Sequence, residues 1–244
     1  MRTKLIYLLL SVGWLFSSCE LMVDLTTDDS DTQLTYEIDH TVDKLILRSD
    51  MDLELVESDD SVLIIQGPKA LLDELEIIDT SGVMTLKYDI KGDWKYEKLK
   101  VQYFMPDLKN VASYAYNNIT CSDTLHYKSL YVFSDGTGDV DLLVNNELVR
   151  IFGTNISNFY FNGFTEKLRV VCSWTSSFRG AGLIAKDVVV GSYCTNYQVV
   201  HPVEKLTCTM RLDGDVYYVN EPNELNINTE EGAKGKVIFD PSKR

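Results

Sequence analysis

The sequence predicts an all-β chain, a single-stranded parallel β-helix built from rungs of about 20 residues. Three observations lead there: apolar residues alternate with polar ones, strand openings recur at a near-constant interval, and Gly, Asp or Asn separate the runs. Alternation comes first along the chain, in Leu45 and Leu47, Leu53 and Leu55, Leu63 and Ile65, then Met84, Leu86 and Tyr88. A period of two places successive side chains on opposite faces of a strand, so these runs bury one face only. One stretch, Lys69 to Ile78 after Pro68, has the pattern of a short helix or helical turn.

The repeat is clearest after residue 108. Aligning the apolar residue that opens each strand gives Leu108, Leu130, Leu148, Leu168, Val188, Leu206 and Leu225, in steps of 22, 18, 20, 20, 18 and 19 residues. A unit this short cannot bury its own apolar face, so neighbouring units must stack. An antiparallel β-sandwich is the competing arrangement, since short strands at turn-punctuated spacing serve it too. Such a sandwich calls for two-residue hairpins. Asn162-Gly163, Asp135-Gly136 and Asp213-Gly214 are the only Asn-Gly or Asp-Gly pairs, and the two Asp-Gly pairs fall in corresponding places of their repeats.

The first residues belong to export. Arg2 and Lys4 precede an apolar run from Leu5 to Phe16, and Ser17-Ser18-Cys19 follows it. That is the length of a signal peptide core and too short for a membrane span. Small residues before a cysteine resemble a lipobox, which makes residues 1–18 a lipoprotein signal peptide and Cys19 the lipidated N-terminus. An ordinary secretory peptide or an uncleaved anchor is the alternative. Residues 19–37, with Asp24, Asp28, Asp29 and Asp31, read as an acidic tether. Order is expected from Ile38, making residues 38–244 the solenoid domain. The expected location is the cell envelope, lipid-anchored, at the outer membrane on either face.

A net charge of -14 without a basic stripe in the sequence argues against nucleic acid. It equally opposes electrostatic adsorption to anionic lipid, leaving the Cys19 lipid as the membrane partner.

Several of these features resemble the head GIN domain family of autotransporter adhesins. The likeness rests on the export signal, on the strands at Leu45-Ile46-Leu47 and Asp52-Leu53-Glu54-Leu55, on the run from Leu99 to Leu108, and on the Gly-punctuated rungs at residues 135–139 and 213–215. It covers about residues 38 to 240. The resemblance implies a β-helical fold, a lipoprotein of the kind common in the Bacteroidetes, and adhesion rather than catalysis. The sequence departs from the family at Thr154-Asn155 and Ser173-Trp174, where a Gly-Ser-Gly turn is typical.

Residues with potential chemistry are few. His40, His126 and His201 are isolated in sequence and suggest no zinc site or triad. Asp135, Asp139 and Asp141 alternate along one strand, compatible with a calcium site or with a plain turn. With Arg150 or Arg169 they are the sole candidates for a polysaccharide-acting lyase or hydrolase, the alternative to a non-enzymatic binding module. No cofactor is expected. Cys121, Cys172, Cys194 and Cys208 stand at unequal offsets in their rungs, so free thiols are expected, most of them buried. Trp174 and Tyr193 are the expected contacts for a glycan or protein ligand.

Overall fold

The computed structural model describes residues 31–89 and 98–244, so the signal peptide and Cys19 lie outside the described residues. The chain is a parallel β-solenoid. Its regular part begins at β8 (Asn110–Ser113) and β9 (Ile119–Cys121) and continues through β10 (Ser129–Ser134), β11 (Thr137–Gly153), β12 (Ile156–Trp174), β13 (Ser177–Cys194) and β14 (Gln198–Met210), closing with β15 (Val216–Tyr218), β16 (Glu224–Thr229) and β17 (Val237–Phe239). The strands from β11 to β14 are long because each crosses from one face of the coil to the other. The first half of β12 lies on β11, the second half on the end of β11, and every bond in this region is parallel.

Two faces result. One carries the second halves of the long strands: Leu130 pairs with Val149, Val149 with Leu168, Leu168 with Val188, Val188 with Leu206 and Leu206 with Leu225. The other carries the first halves, such as Val140 beside Phe159 and Phe159 beside Phe178. Inward residues of both faces meet in one core containing Leu130, Val149, Leu168, Val188, Phe159, Phe161 and Phe178, all essentially buried. The register corrects the sequence alignment at Leu148: the partner of Leu130 is Val149, and Leu148 is half-buried on the outward side. Two adjacent apolar residues share that strand start, and the pattern alone does not say which points in.

The N-terminal third departs from a simple coil. Here lie β1 (Asp31–Glu37), β2 (Lys44–Leu47), β3 (Met51–Glu57), β4 (Val62–Pro68), α1 (Lys69–Asp73), β5 (Glu76–Thr80), β6 (Val83–Lys87) and β7 (Leu99–Met105). The β2–β3 rung is flanked on one side by β6 and β7 and on the other by β8 and β9. The chain thus adds its second rung behind its first before winding forward. Antiparallel strands close this end: β5 on β6, β4 on β7 and β1 on β4. The short helix expected after Pro68 is α1, which buries Leu71, and the rest of that stretch is β5.

Residues 31–37, read from the sequence as part of the tether, form β1, which is held by backbone pairing with β4, from Thr32 with Gly67 to Glu37 with Val62. Its side chains are largely exposed, so it has no alternation to read.

Turns are where a solenoid must satisfy backbone groups that no neighbouring strand reaches. Inward hydroxyls and amides do this. Ser113 Oγ donates to Asn117 Oδ1 (2.8 Å), and Asn117 Nδ2 donates to the Ser49 and Met51 carbonyls at 2.8 and 3.0 Å. The Ser134 and Ser157 hydroxyls are bonded at 2.7 Å, and Ser192 Oγ donates to the Gly214 carbonyl at 3.1 Å. The Asp135-Gly136 turn needs glycine for another reason: a side chain at Gly136 would collide with the Ala115 carbonyl of the preceding rung.

At the far end, Leu225 and Ile227 occupy the same columns as Leu206 and Cys208, which are 0% exposed, yet they are 40% and 47% exposed because none of the described strands covers them. Leu206→Ala is therefore expected to cost about 2–5 kcal/mol and Leu225→Ala under about 1.5 kcal/mol, since a cavity forms only at a covered site. Denaturant unfolding of the two variants checks this; equal losses would mean that the end is covered.

Candidate ligand-binding face

Because strands stack in register, outward residues of the first face form columns running along the solenoid. In one column Asn110 is followed by Tyr131, Arg150, Arg169 and Val189, each in register with the next. In the neighbouring column Ala112 is followed by Phe133, Phe152, Val171 and Gly191. The rings continue one another: Tyr114 lies 5.2 Å from Phe133, and Phe133 stacks on Phe152 at 5.5 Å with 14° between the planes. Arg48 sits over Tyr114 at 4.2 Å. At the glycine the strip is completed by Tyr193, whose ring is so close that a side-chain carbon built on Gly191 would stand 3.2 Å from it. Arg211 covers that ring at 4.4 Å and pairs with Glu230. Tyr193 is accordingly half-buried.

Trp174 borders this face at the turn between β12 and β13. It is 71% exposed, and its backbone is left-handed at φ 59°. Asn155, one rung earlier, adopts the same conformation at φ 55°, and each carbonyl accepts the amide of the next rung's turn, from Thr195 at 2.7 Å and Thr175 at 3.2 Å. Asparagine tolerates that conformation; tryptophan does so at a cost and gains no burial in return. These two turns are where the sequence departs from the Gly-Ser-Gly pattern, and the geometry explains why glycine suits them.

The model for the putative auto-transporter adhesin, head GIN domain, matches residues 42–222. The chain belongs to that family. Solved structures share the fold. A putative adhesin from Bacteroides fragilis, 14% identical, superposes with a TM-score of 0.81 over 86% of this chain and 97% of that one. A putative lipid binding protein from Parabacteroides distasonis, 12% identical, gives 0.65 over 87% and 98%. A putative adhesin from Parabacteroides merdae, 14% identical, gives 0.59 over 86% and 96%. No curated protein matches the chain.

In this head GIN chain the acidic candidates do not converge. Asp135 accepts from Asn155 Nδ2 at 2.6 Å and Asp139 from Asn158 Nδ2 at 3.0 Å. Asp139 and Asp141 lie on the second face, whereas Arg150 and Arg169 lie on the first. Among the described residues no three His, Cys, Asp or Glu side chains cluster as metal ligands. Asp139 instead belongs to a polar ladder up the second face. Asp52 Oδ1 accepts from Asn118 Nδ2 (3.0 Å), Asn118 Oδ1 from the Asp139 amide (3.2 Å), and Asn158 Oδ1 from Ser177 Oγ (2.7 Å). A shallow trough of about 360 Å³ opens beside its first rungs, lined by Asp52, Glu54, Gln66, Lys100, Gln102 and Thr120.

The histidines are apart. His40 is bonded to Ser61, His126 faces Glu57, and His201 is mostly buried with Nδ1 2.9 Å from the Ala181 carbonyl. The four cysteines among the described residues are free thiols, three buried and Cys121 half-buried. Cys172 is in register with Ser192, Cys194 with Trp174 and Cys208 with Val190, as their unequal offsets required.

Two predictions follow from buried and strained groups. Burial raises the thiol pKa values of Cys172 and Cys194, and pushes that of Cys208 up to about 12. A pKa raised on folding favours the protonated form, so this stability is whole below about pH 8.5, the unfolded thiol value, and is lost as pH rises towards 12. Denaturation midpoints at pH 7 and 10 should fall in that order, and Cys208→Ala should reduce the fall; an unchanged difference would remove the thiol from the effect. At the turn, Trp174→Asn should stabilise by about 1 kcal/mol by relieving the left-handed strain. A lowered midpoint would mean that the indole makes contacts worth more than its strain.

Proposed function

We propose that the chain is a lipid-anchored, non-enzymatic adhesion module of the cell envelope, and that the first face, with Trp174 and Tyr193, is the surface it presents to a glycan or protein. The observation that carries this reading is Trp174 itself: a large apolar side chain left 71% exposed on a strained backbone. Strain of that kind persists where the surroundings enforce it and clusters at binding sites. Membership in a family of putative adhesins supports the same reading.

The anchor fits the geometry. Cys19 precedes β1 by a dozen residues, and β1 joins the closed N-terminal end of the solenoid. A lipid on Cys19 would hold that end towards the membrane, leaving the outer faces free along their length. For the alternative enzyme, Asp135, Asp139 and Asp141 would have to act with Arg150 or Arg169, and the carboxylates are tied to asparagines or lie on the other face.

The mature chain, screened on an array of host and microbial glycans and matrix proteins with and without calcium, tests the proposal. The expected result is reproducible binding that weakens in Trp174→Ala and Tyr193→Ala. Silence across the array, or binding that neither substitution changes, would overturn it.

A further inference from the structure

We infer that the ligand of the first face is a linear polyanionic glycan, a polysaccharide bearing carboxylate or sulfate groups, laid along the solenoid axis. This rests on the reading of that face as the binding surface and adds the class of ligand.

The charge distribution points there. The chain carries 37 acidic residues against 23 basic ones. Between β2 and β13, however, the outward strand positions of this face hold Lys44, Arg48, Arg150, Lys167 and Arg169. Among the described residues none of these five enters an ion pair; the pairs on neighbouring positions are Lys109–Asp43, Lys128–Glu147, Lys205–Glu224 and Arg211–Glu230. Carboxylates on or beside the face over these rungs have partners of their own: Asp43 pairs with Lys109, Glu147 with Lys128 and Glu166 with Lys186, Asp135 is bonded to Asn155, and Asp187 is in register with Lys167.

Arg150 and Arg169 are in register on adjacent rungs, so two exposed guanidinium side chains leave strands about 4.8 Å apart. Like charges placed opposite each other destabilise a sheet. A ligand anion between them turns that cost into attraction, and Arg presents a planar fork suited to carboxylate or sulfate.

The arrangement is linear. The cations run along the solenoid axis beside the Tyr114, Phe133, Phe152, Val171 and Tyr193 strip, and the rung interval is close to the length of one pyranose ring in a chain. Aromatic and apolar side chains bed the C–H faces of sugars while the arginines take their acidic groups. A membrane surface of anionic lipid offers the same charges but spreads them over a plane, whereas Arg150 and Arg169 stand in register in one column along the axis, an arrangement that a linear chain matches.

The test uses the mature full-length chain with five probes: a polyuronate, a sulfated polysaccharide, neutral dextran, duplex DNA and phosphatidylglycerol vesicles. Binding to at least one acidic polysaccharide is expected, weakening with added salt and absent for dextran. The double variant Arg150→Gln/Arg169→Gln should lose about tenfold or more in affinity, and Arg150→Lys/Arg169→Lys should retain most of it. The glutamine variant should also melt at a temperature no lower than the parent, since it removes a like-charge pair, which separates lost binding from lost folding. Failure of both acidic polysaccharides to bind, equal or tighter binding to DNA or vesicles, or affinity unchanged in the glutamine variant would overturn the inference. If Trp174→Ala and Tyr193→Ala still abolish binding to a neutral glycan or protein, the ligand class falls and the binding face stands; if they abolish nothing, both fall.

Discussion

The interaction on which everything else depends is the parallel hydrogen-bond ladder joining each rung to the one about 19 residues later. A parallel strand satisfies its backbone groups only by fixing its register, and register fixes which side chains point inward. One constraint therefore does two things. It stacks Leu130, Val149, Leu168, Val188 and Leu206 into a continuous core, and it aligns Arg150 with Arg169 and Phe133 with Phe152 on the outside. The outer columns are consequences of core packing rather than separate constructions.

Ends and turns are where that ladder needs help. At the beginning, β1, β4 and β5 run antiparallel and α1 packs its Leu71 into the core, so the first core residues are enclosed. At the turns, Ser113, Asn117, Ser134, Ser157 and Ser192 point into the interior and satisfy carbonyl or hydroxyl partners there. The Asp and Asn residues of the second face do the same outside, binding each rung to the next. Where the sequence left a calcium site or a plain turn open, Asp135 and Asp139 accept from the side-chain amides of Asn155 and Asn158.

Much of the fold was legible. Alternation gave the strands, the repeat gave stacking, and even offsets placed Cys172, Cys194 and Cys208 inside without opposing any two of them. Trp174, offered by the sequence as an outer contact residue, is exposed at the end of β12. Other features carry no local signal. β1 has no buried face, so only its pairing with β4 makes it a strand. The placement of β6 and β7 behind β2 and β3 is an order in space that a period along the chain does not encode. At Leu148-Val149 two apolar neighbours left the register open by one residue, and the arginine column became visible only when that register was settled. Arg150 and Arg169 stand on the first face and Asp139 on the second, a separation that their nearness in sequence does not show.

Cross-rung nuclear Overhauser effects in the mature chain test the register most directly. The account predicts contacts linking the Leu130, Val149 and Leu168 side chains inside and the Phe133 and Phe152 rings outside, with Arg150 and Arg169 backbone protons as strand neighbours. Contacts that instead placed Leu148 beside Leu130 would reverse the parity of that rung, turn Arg150 inward and contradict the outer face described for this protein.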